Sequence, residues 1–337
     1  MRRDAVGRKA PAPETAGTGD ALPGSRDAAL ARKPDRETAR RPAFSARQAR
    51  RITLYLLALG TVALWGASFP LTKLALQGLG PMGIAFVRWT ISTLALAGWL
   101  AVSGRLPLAA GLVRHNLRTL SWVALAGITL FYALENLALR YTSATNAGIL
   151  ANLTSVFIAL LAAVWLRERV GPRGWLAMGV AFLGAALVSQ GSGHLTISGT
   201  GLTGDLMMVL ATFFGALFSI GGKGLTEHYP SDVVTTAIAA AGALFLLPLA
   251  LWEGLNLALP ATVWVALIVL GLGSGALANL FWLHILSHMP ATRAGIILFL
   301  VPVTSTLLAV LLLHEPITAG MLGGGALVLA SVAVMQR

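Results

Sequence analysis

Ten apolar runs, each close to the length needed to cross a lipid bilayer, constrain this chain more than any other feature. A hydrocarbon core of about 30 Å demands roughly 20 helical residues at 1.5 Å rise each. The runs cover approximately Ile52–Leu76, Met82–Val102, Thr119–Leu139, Ala144–Leu166 and Gly174–Ser189, then Thr203–Leu225, Asp232–Trp252, Thr262–Leu286, Ala294–Leu313 and Thr318–Met335. Backbone groups in lipid must pair within their own segment, and the period-two alternation of a barrel strand is missing. The expected fold is therefore an all-α membrane protein of ten transmembrane helices. Composition agrees: 56% of residues are hydrophobic and 11% charged, against about a quarter charged in soluble domains. The connections are too short to hold a soluble catalytic domain. With no cysteine, a disulfide framework, a thiolate metal site and a cysteine nucleophile are all excluded.

The net charge of +12 does not signal nucleic acid, because 13 of the 25 Lys and Arg residues lie in Met1–Arg51. That segment (1–51) has almost no apolar run and no signal-peptide core, so it reads as a disordered, basic, cytoplasmic tail. Beyond it, one set of alternate connections holds Arg105, Arg114, Arg118, Arg167, Arg169, Arg173 and Arg293, while the other holds Arg140, with Lys73 near a helix end. Lys and Arg are retained on the cytoplasmic side. The expectation is a multi-pass protein of the bacterial inner membrane with both termini cytoplasmic.

The chain also repeats itself at an offset of 147 residues. Ala144–Glu168 aligns without a gap on Ala291–Glu315, with 12 of 25 positions identical, ATNAGI facing ATRAGI and Glu168 facing Glu315. WGASFPLTK from Trp65 is echoed by FGALFSIGGK from Phe214 at a slightly different offset. Five helices per repeat is an odd number, so the second repeat (203–335) should enter the membrane opposite to the first (52–190).

WGASFP in the first helix, FVRW around Arg88, the paired AT(N/R)AGI starts, Val301-Pro302 and the glycine-rich last helix resemble EamA-type domains of the drug/metabolite transporter superfamily. The resemblance implies a ten-helix transporter with a central cavity between its repeats, exporting amino acids or other metabolites. One departure is Ser155 where the second repeat has Pro302, which predicts that the two halves flex differently.

Some residues have a sufficient structural explanation. Glu168 and Glu315 each precede a helix whose N-terminal N–H groups and dipole favour a carboxylate. Gly83, Gly98, Gly179, Gly184 and Gly323 to Gly325 suit close helix packing, and Trp175 and Trp264 suit the interfacial aromatic belt. Polar groups deep in the spans are different, because they are costly in lipid and usually face a cavity. Arg88, Glu135, Asn136, Asn152, Asn279 and His284 meet that description, and Tyr132 shares a helical face with Glu135 and Asn136. Trp65 and Phe69 form an aromatic stripe beside Ser68 and Thr72. At 1.5 Å per residue, Arg88 lies roughly 9 Å and Glu135 roughly 6 Å below the outer boundary, so the two should meet in one layer, directly or through water. His284 is read without an HExxH motif or a histidine partner, so no metal site is expected.

Neither GSGALAN nor SIGGKGL has the spacing of a phosphate-binding loop, so neither ATP nor any other cofactor is expected, and gradient-driven transport remains. The reading is a secondary, alternating-access exporter of small metabolites, amino acids favoured or drug-like solutes, and not an enzyme. The alternative is a flippase for lipid-linked intermediates or an accessory membrane subunit. The expected partners are a small-molecule substrate and the lipid bilayer, not nucleic acid; proton or ion coupling and a homodimer are compatible with the sequence.

Overall fold

A computed structural model describes residues 41–142, 144–191, 199–304 and 318–336. All regular structure among them is helical: α1 (Arg41–Ala75), α2 (Pro81–Val102), α3 (Leu106–Ala124), α4 (Phe131–Tyr141), α5 (Ala144–Ala151), α6 (Leu153–Trp165), α7 (Pro172–Gly191), α8 (Gly199–Thr226), α9 (Ser231–Glu253), α10 (Ala261–Val269), α11 (Ala278–Leu286), α12 (Ala291–Ile297) and α13 (Ala319–Gln336). Six stretches are long and apolar enough to span a bilayer: Gln48–Ala75, Pro81–Val102, Leu106–Tyr141, Leu202–Thr226, Ser231–Glu253 and Ala261–Leu286. Shorter apolar helices cover Leu153–Trp165, Pro172–Leu187, Ala291–Thr304 and Leu322–Val334. Together they account for the ten helices of an all-α membrane protein built as two five-helix repeats. The helical unit that carries them is Arg50–Arg337. Most of the predicted tail, and Glu315, lie outside the described residues; α1 itself begins at Arg41, before the apolar run.

The third and eighth spans are not uniform α-helices. Leu125–Leu130 and Leu270–Leu277 are π-helical, at matched places in the two repeats. A π turn displaces the normal i→i−4 pairing and frees carbonyls, a device common at functional sites. The fourth and ninth spans are also interrupted at matched places, at Asn152 and at Leu298–Phe299. In the second repeat Pro302 has no N–H for the Leu298 carbonyl, which instead accepts the N–H of Val301 at 2.9 Å. In the first, Ser155 N–H reaches back to Asn152 O at 3.0 Å. Both repeats thus change to i→i−3 pairing here, with or without the proline.

Cross-repeat ties are made by carboxylates. Glu253, at the end of α9, accepts the N–H groups of Met82 (2.9 Å) and Gly83 (3.0 Å) at the start of α2. Any side chain at Gly80 would collide with that carboxylate. At the other end of the same two helices, Arg105 pairs with Asp232 at 2.7 Å. Large apolar side chains such as Leu94, Trp99, Trp122, Leu176, Leu244 and Trp252 point outward, as a lipid-facing surface requires. Trp175 joins that exposed set, whereas Trp264 packs against a cluster formed by α2 and α10.

The glycines divide. Gly184 abuts the backbone of Gly324, so α7 and α13 touch where only glycine fits, and a Cβ at Gly83 would press on Leu79. A Cβ at Gly98, Gly179, Gly323 or Gly325 would meet nothing within 4 Å among the described residues. The expectation of close packing at those four positions is therefore corrected, because they lie away from the neighbouring helix backbone.

Candidate functional site

One cavity of about 90 Å³ gathers residues from both repeats. Its aromatic walls are Trp65 and Phe69 from α1, Phe131 and Tyr132 from α4, and Phe218 from α8; its polar groups include Ser68, Arg88, Glu135, Asn152, Ser219 and Asn279. Seven of the nine residues singled out from the sequence therefore line it: Trp65, Phe69, Arg88, Tyr132, Glu135, Asn152 and Asn279. Asn136 and His284 do not. Asn136 is wholly buried but donates to the Pro81 carbonyl at 3.0 Å, fixing α4 against the start of α2.

His284 lies in a separate groove with Trp99, Arg105, Tyr229, Asp232 and His288. Its ring stacks on His288, with centroids 4.3 Å apart. The reading of His284 as a histidine without a histidine partner is thus corrected, since His288 sits one helical turn on. Among the described residues no group of three or more metal-ligating side chains forms.

The π turn of the eighth span organises the polar side of the cavity. Because regular pairing lapses at Leu270–Leu277, the Ser274 carbonyl is available to two side chains, Trp65 Nε1 at 3.2 Å and Asn279 Nδ2 at 2.8 Å. Asn279 also donates to Gly275 O at 2.9 Å. The Ser274 hydroxyl accepts Arg88 Nη2 at 3.0 Å and donates to Leu270 O at 2.9 Å. Arg88 lies 4.4 Å above the centre of the Tyr132 ring, a cation–π contact. Tyr132 is in turn held edge-on by Trp89 and Phe131, with centroids at 5.1 and 4.6 Å. Trp282 stacks obliquely on Trp65 at 5.6 Å and donates to Ser219 Oγ at 3.0 Å.

Arg88 is 1% exposed and Glu135 3%. The two line the same cavity without forming a salt bridge: Arg88's contacts go to Ser274 and Tyr132. Arg88 Nε and Nη1 and Glu135 Oε2 are buried with no hydrogen-bond partner among the described residues. Each such group costs about 1–3 kcal/mol, and more when charged, so a fold that only needed packing would not retain both. The cavity brings a guanidinium and a carboxyl group together inside an aromatic box.

Sequence reasoning missed Ser274, Phe131, Phe218 and Ser219. Ser274 had a signal, the glycine-rich GSGALAN, which loosens a helix enough for a π turn; the aromatic residues look like ordinary lipid-facing positions until the helices are packed.

Comparison with known proteins agrees with this architecture. A model of the EamA-like transporter family matches residues 52–190 and again 202–337. An uncharacterized transporter of Archaeoglobus fulgidus is 33% identical over 267 residues, covering 78% of this chain and 90% of its own. A probable terminal-alkyne amino-acid exporter of Streptantibioticus cattleyicolor is 29% identical over 282 residues, covering 82% of this chain and 91% of its own. A solved crystal structure superposes with a TM-score of 0.71 at 18% identity, over 84% of this chain and 97% of the solved one, a likeness of fold alone. Two family matches, one on each five-helix half, surround the cavity between them, and the chain belongs to the EamA-like transporter family.

Proposed function

We propose that this transporter exports small amino acids or closely similar zwitterions across the bacterial inner membrane by alternating access, with both termini in the cytoplasm. The observation that carries the reading is that Arg88 and Glu135, a buried guanidinium and a buried carboxyl group, line one cavity with polar atoms that have no hydrogen-bond partner among the described residues. A zwitterion answers both: its carboxylate accepts from Arg88 Nε and Nη1, and its ammonium donates to Glu135 Oε2. The rest of the molecule packs against Trp65, Phe69, Phe131 and Phe218, while Asn152 and Asn279 line the same space. The Streptantibioticus relative, a probable terminal-alkyne amino-acid exporter, has a substrate of the same class.

Release follows from competition at Glu135. A proton or coupling ion that occupies the carboxylate removes the ammonium's partner, so occupancy of the cavity and the conformational equilibrium become linked. Odd-numbered inverted repeats supply two related conformations, and the matched interruptions of α-helical pairing at Asn152 and Leu298–Phe299 are places where they can interconvert.

The test is counterflow of labelled amino acids in proteoliposomes containing the full chain, with scrambling of a labelled phospholipid measured in parallel. Exchange of amino acids without scrambling is expected. Scrambling without exchange would replace this reading by that of a flippase.

A further inference from the structure

Glu168, treated from the sequence as a helix-end carboxylate, makes an unusually complete set of contacts across the repeat boundary. Its Oε1 accepts the N–H of Ala291 at 2.9 Å and Lys223 Nζ at 3.2 Å; its Oε2 accepts the N–H of Thr292 at 3.0 Å and the Thr292 hydroxyl at 2.9 Å. Lys223 donates in addition to the Met289 carbonyl at 2.8 Å. Four donors saturate a carboxylate, and those with a charged partner are the stronger kind of hydrogen bond. The contact joins the end of α6, the end of α8 and the start of α12. The same three helices, farther along from this contact, supply one wall of the cavity: Thr154 at the start of α6, Gly215, Phe218 and Ser219 inside α8, and Leu298 and Val301 just beyond α12.

The repeat gives this contact a counterpart. Lys73 closes WGASFPLTK as Lys223 closes FGALFSIGGK. Lys73 Nζ donates to the Thr142 carbonyl at 2.9 Å, and Thr142 stands 147 residues before Met289, the offset of the sequence repeat. The same lysine-to-carbonyl bond therefore recurs at both ends of the bundle, as inverted repeats require. At the Lys223 end it is joined by a carboxylate that pulls three helices together.

We propose that Glu168 and Lys223 are positioning residues for transport: they form a clasp that shuts the cavity on their side of the membrane, and the Lys73–Thr142 contact marks its counterpart at the opposite mouth. This rests on the alternating-access reading but not on the identity of the substrate. Opening the clasp frees the start of α12 from the ends of α6 and α8, so that these helices can part on that side of the wall that carries Thr154, Ser219 and Leu298. The two mouths then work against each other, so weakening one contact raises the population open on that side at the expense of the other.

The absence of cysteine makes a direct test simple. A Ser219→Cys reporter in the cavity wall is labelled with a membrane-impermeant thiol reagent applied to one face or the other of oriented vesicles, without substrate. Adding Glu168→Gln should raise the labelling rate from the Glu168 side about tenfold, the loss expected for a hydrogen bond to a charged group, and lower it from the opposite side. Lys73→Met should shift the two rates the other way. Lys223→Met leaves the backbone contacts of Glu168 in place and should reproduce the Glu168→Gln shift if that variant does not fold. Unchanged rates, or equal increases from both faces, would overturn the clasp. Because no substrate is added, failure here would leave the zwitterion reading standing, and failed counterflow would leave the clasp standing.

Discussion

Arg88 and Glu135 face one cavity from α2 and α4 but form no ion pair; the guanidinium is held instead by the Ser274 hydroxyl at 3.0 Å and the face of Tyr132 at 4.4 Å. The sequence places the two charges in one membrane layer and predicts that they interact. The structure shows shared surroundings without the direct bond, which keeps both groups available to a third charge.

Glu135→Gln should therefore fold normally and lose amino-acid exchange, by about tenfold or more if one charge-assisted contact to the ammonium is lost. Arg88→Lys should be comparably damaging, because an ammonium cannot reproduce the planar fork that meets a carboxylate. Counterflow rates at several pH values are the measurement. The proposed competition at Glu135 further requires that the pH dependence of wild-type exchange flatten in Glu135→Gln, and wild-type rates and pH dependence in a well-folded variant would exclude it.

Ser274→Ala should weaken substrate affinity rather than expression. It removes the acceptor for Arg88 Nη2 but leaves the Ser274 carbonyl to Trp65 and Asn279. A hydrogen bond to a charged group contributes about 1.5–3 kcal/mol, so thermal stability should fall as Arg88 Nη2 is left unpaired, and KM should rise roughly tenfold because the guanidinium is no longer held in place. A KM equal to wild type would mean that the π turn does not position Arg88.

Acid should loosen the Glu168 contact. Burial by itself raises this carboxyl, but the N–H groups of Thr292 and Ala291, the Thr292 hydroxyl and Lys223 outweigh it and hold the carboxyl below its usual value. A group with a depressed folded-state pKa stabilises the fold above its unfolded value, near 4.3 for glutamate, and loses that contribution as pH falls through the folded value. Thermal stability of the purified protein should thus drop as the pH is lowered from about 5 toward 3. The drop should be shallower in Glu168→Gln, and identical pH profiles would remove Glu168 from the account.

Topology can be checked with reporter fusions after Gln190 and after Arg337. The five-helix repeat and the Arg-rich alternate connections predict that the first reports outside and the second in the cytoplasm. Reports from the same side would contradict the inverted arrangement.

The sequence by itself determined the number of apolar helices and that the chain is duplicated, because the bilayer imposes a length and forbids unpaired backbone whatever the packing; it did not fix their ends, since α1 begins at Arg41 and the third span at Leu106, taking Arg114 and Arg118 into a helix. It also singled out polar residues that lipid would not tolerate, including Arg88, Glu135, Asn152 and Asn279. It placed Arg88 and Glu135 in one layer but could not say which groups each of the polar residues would touch. Asn136 follows Glu135 in the chain, yet it does not line the cavity and its Nδ2 donates to Pro81 instead. His284 is as polar as Asn279 but lies nearer the end of α11 and opens into another groove beside His288. Ser274 became a partner of Arg88 only because a π turn rotated it toward α2, and Glu168 became a tie between repeats only because α12 starts beside it. Those assignments depend on the angular setting of one helix against another across distances of up to 186 residues in the chain, a quantity that hydrophobic period and motif spacing do not encode.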